Sequence, residues 1–193
     1  IDIIKQPDMK IRMITQPFEA IGYPDVANLP KPITKNIKRE FDPMRPWEGL
    51  GYNPEDEARN ILRSGLNAMW VGNFSFSTVY DNYDSSIFPE NSEAGQWVRK
   101  RKQKISELID IANKYHLKTV ASSDIFIYPK GQDPSKKWDL LDYSLNEFLT
   151  NFPEIDIITT RFGENYSYYN NFFVGEGLDT KGIEEEFPKL IDF

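Results

Sequence analysis

Three segments of the chain repeat their hydrophobic residues at helical spacing. Asn53 and Pro54 suit the N-cap and first turn of one helix, which we expect to end near residue 64, before Gly65. A second helix is predicted over residues 96–115, and a third lies further along. Their apolar stripes are Ala58, Ile61, Leu62 and Leu66 in the first, Val98, Ile105, Leu108, Ile109 and Ala112 in the second, and Trp138, Leu141, Leu145 and Phe148 in the third.

Shorter apolar runs between these helices predict β-strands. Residues 67–73, 117–121 and 155–161 are too short for helices, and residues 10–15 form a candidate opening strand. Strands that alternate with helices favour a parallel sheet, because crossovers of one hand return each strand in the same direction. The sequence therefore predicts an α/β fold.

The connections between these elements are asymmetric in length. Those from helix to strand are short, whereas those from strand to helix are long and rich in aromatic, Pro, Asn and Asp residues. This asymmetry is typical of a (β/α) barrel, whose binding loops all lie at one end. An open doubly wound sheet is the alternative, although no Gly-rich phosphate fingerprint follows any strand.

Four parallel strands with intervening helices make only the N-terminal half of a TIM-type (β/α)8 barrel. We treat residues 1–193 as a single, partial barrel domain. Its last segment, residues 180–193, predicts the start of a further helix interrupted by Pro188. Because open sheet edges are seldom left unpaired, we expect a fragment that lacks its C-terminal half, a chain completed by a second chain or second copy, or a smaller open-sheet domain.

Composition and charge narrow the classes of partner. The net charge of -7, from 23 basic and 30 acidic residues, opposes binding to nucleic acid or an anionic membrane surface. With no Cys and one His, zinc sites of the usual kind are excluded, and we expect no metal and no cofactor. The first residue is Ile and no signal peptide is evident, so we expect a processed, cloned or fragmented product.

The strand predicted over residues 155–161 ends next to the strongest candidate for chemistry. Glu164 follows it, with Arg161, Tyr166 and Tyr168 close in sequence. Residues just past the carboxyl ends of parallel strands face the ligand, and a general acid for glycoside cleavage needs such a partly desolvated carboxyl group. The alternative is a purely structural ion pair between Glu164 and Arg161.

Other predicted strand ends supply further candidates. Asp124 suits either a sugar hydroxyl or the cap of a turn, Asn73 suits substrate hydroxyls, and Trp70 suits either the core or a sugar face. Aromatic loops around residues 74–83 and 166–173 suit either sugar stacking or packing among themselves. A cation held jointly by Asp124 and Glu164 is a further alternative.

Two other charged features are interpreted as structural. The basic run at residues 99–104 is expected to lie largely on the solvated side of the second helix. His116 directly precedes a strand, at the end opposite the predicted site.

The segment Arg161-Phe-Gly-Glu164-Asn-Tyr166 resembles the Arg-x-Gly-Glu-x-Tyr segment of glycoside-hydrolase-like barrels from polysaccharide-degrading bacteria, and more distantly α-glucuronidases. The resemblance covers residues 10–177 in element order. It implies a carbohydrate substrate, a plant or bacterial polysaccharide or oligosaccharide, with Glu164 as general acid, and favours an extracytoplasmic location. A second carboxylate would come from later strands. A non-catalytic carbohydrate-binding or assembly module on the same fold is the alternative.

Overall fold

The computed structural model describes residues 10–13, 54–161, 172–175 and 180–191, in which helices and strands alternate as predicted. They are α1 (Pro54–Arg63), β1 (Ala68–Asn73), the one-turn α2 (Asp81–Asp84), α3 (Glu93–Lys114), β2 (Lys118–Asp124), β3 (Ile127–Pro129), α4 (Lys137–Asn151), β4 (Ile157–Arg161), β5 (Phe173–Gly175) and α5 (Thr180–Ile191). Short 3-10 turns cover Ser75–Ser77 and Pro134–Lys136.

The central sheet is parallel and follows the order of the chain. Its three strands lie in the order β1-β2-β4, with β1 paired to β2 and β2 paired to β4, both in parallel. The connections from helix to strand are short, at residues 64–67, 115–117 and 152–156, whereas the one from β1 to α3 spans residues 74–92. The predicted α/β class is confirmed.

The predicted opening strand is not formed over residues 10–13. These residues lie beside the start of β1 and are held by Asn67, whose N–H donates to the Arg12 carbonyl at 2.9 Å. The Asn67 side chain accepts the Arg12 N–H at 2.7 Å and donates to the Lys10 carbonyl at 2.8 Å. The Asn67 side chain takes two of these three hydrogen bonds, residues 10–13 form no strand ladder, and the described sheet has three parallel strands instead of four. Residues 14 and 15 lie outside the described residues.

Helices α1, α3 and α4 pack on one face of this sheet and form the main core. Its members are Ala58, Ile61, Met69, Val71, Phe74, Ile105, Leu108, Ile109, Ala112, Leu117, Ala121, Ile125, Phe126, Leu141, Phe148 and Phe152. The predicted stripe of α3 is buried throughout. In α1, however, Leu62 is 45% exposed, because Ala58 and Ile61 face the core and Leu62 lies one step around the helix. Leu66, just after the helix, packs against the same core.

The two helices before β1 and β2 end in left-handed residues. After α1, Gly65 has φ 73°, and its N–H donates to Leu62 while the Leu66 N–H donates to Ile61. After α3, the same conformation falls on His116, with φ 55°. A side chain in this conformation is strained, whereas glycine is not. His116 therefore has a structural role in ending α3, in agreement with its predicted position at the end of the strands opposite the site.

A second core, which we call the loop core, fills the space among the long connections. Its buried members are Phe76, Tyr80, Phe88, Val98, Ile127, Tyr128, Leu140 and Phe173. The antiparallel pair β3–β5, which the sequence did not predict, contributes three of these residues from two different connections. The strand-to-helix loops thus pack on one another as well as on the helices.

The basic run of α3 departs from its prediction. Arg101 is only 5% exposed and its guanidinium lies 4.6 Å from the Trp97 ring centroid and 5.6 Å from that of Phe76. Lys102 forms an ion pair with Glu147 of α4, and both side chains are largely buried. The prediction of a solvated face was wrong here because the loop core covers this side of α3, and aromatic faces attract a guanidinium.

Helix α5 continues through Pro188, which was expected to interrupt it. Pro188 and Glu184, whose carbonyl would lose the helical hydrogen bond, are both exposed, so water can serve that group. Glu186 accepts a hydrogen bond from the Trp138 indole at 2.8 Å and pairs with Lys137 and Lys189, which attaches α5 to α4. Among the described residues, no helix is long and apolar enough to cross a membrane.

Candidate functional site at the carboxyl edge of the sheet

The carboxyl ends of β1, β2 and β4 meet at one edge of the sheet and carry polar residues. Asn73 pairs with Ser122, and Ser122 pairs in turn with Thr159. Two residues further along, Asp124 pairs with Arg161, the last residue of β4. Parallel strands bring these ends together, which is where α/β proteins bind ligands. Of the predicted site residues, the register therefore makes Asn73, Asp124 and Arg161 neighbours along this edge.

A β-bulge in β1 decides which face Asn73 occupies. Trp70 pairs with Val120, whereas Gly72 pairs with Ala121, so β1 contains one extra residue between them. Residues beyond a bulge change faces relative to simple alternation. Asn73 consequently lies on the same face as Trp70, turned away from the helices. We call this side the site face; it carries Trp70, Asn73, Ser122, Asp124 and Thr159.

The extra residue leaves Gly72 on the helix side of the sheet. A Cβ on Gly72 would lie 2.7 Å from Cγ1 and 2.8 Å from Cδ1 of Ile105. The absence of a side chain therefore lets α3 approach β1 closely at this point. The same close approach fixes the bulge and, with it, the orientation of Asn73.

Trp70 is held on the site face by a hydrogen bond. Its indole N–H donates to the Ser122 hydroxyl at 2.7 Å, and both side chains are partly exposed. This bond fixes the ring plane across two strands. Trp70 is therefore not a core residue in the sense of the main core, which lies on the other face of the sheet.

Asn73 has a structural role in addition to any contact with ligand, and Asp124 is buried. The Asn73 side-chain oxygen accepts the Phe76 N–H at 3.3 Å, and the Asn73 backbone carbonyl accepts the Ser77 hydroxyl at 2.9 Å. These two hydrogen bonds cap the turn after β1. Asp124 is only 3% exposed. Its burial at the start of the turn between β2 and β3 restricts its access to a ligand.

The remaining predicted residues lie outside what the structure describes. Glu164, Tyr166 and Tyr168 belong to residues 162–171, and only the backbone of Arg161 is described. The predicted roles of these four side chains therefore stay predictions. Within the described residues, no group of three or more His, Asp or Glu side chains is placed to hold a metal ion.

The aromatic loop after β1 does not present its rings to a ligand. Phe74, Phe76 and Tyr80 are at most 1% exposed, and burial raises the pKa of the Tyr80 hydroxyl. Of the rings predicted there, only Tyr83 is exposed, at 37%, and it packs against Tyr143 of α4. The structural alternative therefore fits this segment better than sugar stacking, although the rings pack on α3, α4 and β5 as well as on one another. Of the second aromatic loop, Phe173 is described and is buried in the loop core.

One hydroxyl contact and one exposed hydroxyl near the site were not predicted from the sequence. On the helix side, the Ser123 hydroxyl donates to the buried Ser75 hydroxyl at 2.8 Å, which ties the ends of β1 and β2 together. On the site face, Thr159 is exposed beside Ser122. Alternation from Ile158, which packs on the main core, could have assigned the face of Thr159. No periodic signal identifies the Ser75–Ser123 contact, because Ser75 lies in a loop.

The geometry thus defines an α/β protein whose parallel sheet carries an aromatic ring, an amide and hydroxyls on the face opposite its helices, with the amide at the carboxyl edge. Comparison of the chain with protein-family models, with curated proteins and with solved structures finds no match.

Proposed function

We propose that this chain is a carbohydrate-active domain related to glycoside hydrolases, and that it forms the N-terminal half of a (β/α) barrel. The observation that carries this proposal is the site face. Strands follow one another in chain order, the described helices packed against the sheet lie on one side, and the other side carries Trp70, Asn73 and Ser122 toward the carboxyl ends. A barrel interior has this organisation, with its ligand at the same end of the strands.

The chemistry of the site face suits a sugar. A flat indole ring can stack on the apolar face of a pyranose, while amide and hydroxyl groups bind its hydroxyls. Asn73 retains its amide N–H groups for this purpose, since its side-chain oxygen is the atom used in the turn. The net charge of -7 does not oppose a neutral carbohydrate.

Glu164 is assigned the role of general acid, three positions beyond the end of β4. Arg161, in register with Asp124, would orient that carboxyl group or bind an acidic group of the substrate. Tyr166 and Tyr168 would line the sugar. These roles rest on the sequence resemblance and on the position of β4, whose carboxyl end reaches the same edge as Asn73.

The test is the Glu164→Gln variant, assayed on a series of aryl glycosides. A general acid protonates the leaving group, so turnover should fall about 10²- to 10⁴-fold with poor leaving groups and little with good ones. Glu154→Gln is a matched control, because Glu154 is an exposed carboxylate before β4, at the opposite end of the strand. Equal turnover of both variants on the poor leaving group would refute the role of Glu164.

A non-catalytic carbohydrate-binding module is the second candidate, and one observation favours it. Glycosidases need two carboxyl groups roughly 5 to 10 Å apart. Among the described strand ends the only carboxylate is Asp124, and it is buried. Titration calorimetry with oligosaccharides separates the two candidates, because a module of this kind binds sugar without releasing product.

The proposal also requires a partner for the sheet. Within the described part of the chain, β4 lies at the edge of the three-stranded sheet, and Thr159 and Thr160 there are exposed. A second chain, a second copy or a C-terminal half would complete the barrel and supply the second carboxylate. Native mass spectrometry of the purified protein distinguishes these: a dimer or a heavier companion supports completion, and a monomer of this chain alone favours the binding module.

A further inference from the structure

The site face carries a row of neutral groups that crosses all three strands. Trp70 on β1 is bonded to Ser122 on β2 at 2.7 Å, and Ser122 is in register with Thr159 on β4. Adjacent strands are about 4.8 Å apart, so the row extends over about 10 Å. In the function proposed above, Thr159 is an exposed residue of the edge strand and is given no contact with the ligand.

Alternation along β4 fixes the direction of its two threonines. Ile158 packs against the main core, so its neighbour Thr159 points to the site face, and Thr160 returns to the helix side. Thr159 is exposed, and among the described residues its hydroxyl has no hydrogen-bond partner. It is therefore available to a ligand that occupies the site face.

The hydroxyl of Ser122 already makes one hydrogen bond, and this determines which further hydrogen bond it can make. Its oxygen accepts the Trp70 indole N–H, so its own O–H is the group left to donate. The row thus offers a ring, a hydroxyl donor and a second hydroxyl that can donate or accept. No member of the row carries a charge.

We infer that Trp70, Ser122 and Thr159 form a subsite for a neutral sugar ring, with Thr159 as a specificity-determining residue. The inference rests on the proposed function and adds to it the residue on β4 that the ligand contacts. A pyranose that stacks on Trp70 would present its equatorial hydroxyls toward Ser122, which the indole contacts, and toward Thr159, the residue in register with Ser122.

The experiment compares Thr159→Val with Thr160→Val by titration calorimetry against cellotriose, xylotriose, maltotriose and mannotriose. Both changes replace a hydroxyl by a methyl on adjacent, exposed positions of β4 and keep a β-branched side chain. Loss of one hydrogen bond should weaken binding of the preferred trisaccharide about 3- to 10-fold for Thr159→Val. Thr160→Val should bind as the wild type does. Thr159→Ser, which retains the hydroxyl, should restore the affinity.

The outcomes separate the two proposals. If the wild type binds a trisaccharide and Thr159→Val binds it equally well, the subsite is refuted while the proposed function stands. If equal losses occur at Thr159 and Thr160, the effect comes from β4 as a whole and the subsite is again refuted. If the wild type binds none of the four trisaccharides, the subsite for a neutral sugar is refuted, while the proposed function is judged separately by the Glu164→Gln assay on aryl glycosides.

Discussion

Replacement of Gly95 by alanine tests whether the loop before α3 is held as tightly as its contacts indicate. Gly95 lies in the first turn of α3, and its N–H donates to the N-cap Ser92 hydroxyl at 3.0 Å. The Pro89 carbonyl accepts both the Ser92 N–H at 2.9 Å and the Ser92 hydroxyl at 2.6 Å. A Cβ on Gly95 would lie 2.1 Å from this carbonyl oxygen and 2.9 Å from a nitrogen of Arg99.

Two effects of opposite sign decide the result. Alanine in a helix is favoured over glycine by about 1 kcal/mol. However, real Cβ contacts essentially never fall below 3.0 Å, so the Pro89 carbonyl would have to move by about 0.9 Å, the difference between 3.0 and 2.1 Å. Such overpacking costs about 1 to 3 kcal/mol, and disturbance of the Ser92 cap costs about 1 kcal/mol more. We therefore expect net destabilisation of about 1 to 3 kcal/mol.

The assay is thermal and urea unfolding followed by circular dichroism. For a chain of this size, a loss of 1 kcal/mol lowers Tm by about 2 to 4 °C. Ser106→Ala is the control, since Ser106 is an exposed position further along α3 and alanine there should stabilise by up to about 0.5 kcal/mol. If Gly95→Ala raised Tm as Ser106→Ala should, the contact with Pro89 would be unimportant and the reasoning would be wrong.

Two further predictions concern α3 and its neighbours. His116→Gly should raise the free energy of unfolding in urea by about 1 kcal/mol, because φ 55° strains a residue with a side chain. Gly65→Ala should lower it by a similar amount, because φ is 73° there and nothing lies near the new Cβ, so only the backbone strain acts. If both changes were neutral, the left-handed helix ends would not be strained. Burial raises the pKa of Glu147 even though Lys102 donates a hydrogen bond to it. The folded state therefore retains this proton longer than the unfolded state, and stability falls as pH rises from 4.5, the ordinary value for Glu, through the raised pKa. In urea titrations across this range, Glu147→Gln should remove that part of the decline, whereas Glu107→Gln, at an exposed position, should not; equal profiles for the two variants would contradict the assignment.

The regular elements could be predicted because their signal is local. The stripe from Val98 to Ala112 appears at helical spacing and is buried as expected, and β2 and β4 lie within a few residues of their predicted bounds. Helical spacing identifies the face of a helix that packs on the sheet, but it does not show whether loops cover another face. The burial of Arg101 under the loop core was therefore not predicted. For an aromatic residue in a loop, such as Phe76, the sequence does not distinguish contact with a ligand from contact with another loop.

The candidate site was predictable to a smaller extent. The strand ends at Asn73 and Asp124 follow from the apolar runs before them. The face of the sheet on which Asn73 lies depends on a bulge in β1. The extra residue that forms this bulge does not stand out in the residue pattern of the strand. The partners of Trp70 and Ser75 lie on β2, more than 45 residues away, and hydrogen bonds across such separations have no periodic trace in one sequence.

The loop core has a consequence for any attempt to redesign this protein. In many barrel-like scaffolds the binding loops are treated as exchangeable parts, each replaced without regard to the others. Here Phe76, Ile127 and Phe173 come from three different connections and share one apolar interior. A graft of a single foreign loop would remove one wall of that interior and expose the other two to water. Under the proposed function, new specificity would therefore have to be introduced by point changes on the site face, or by exchange of all three loops as one unit.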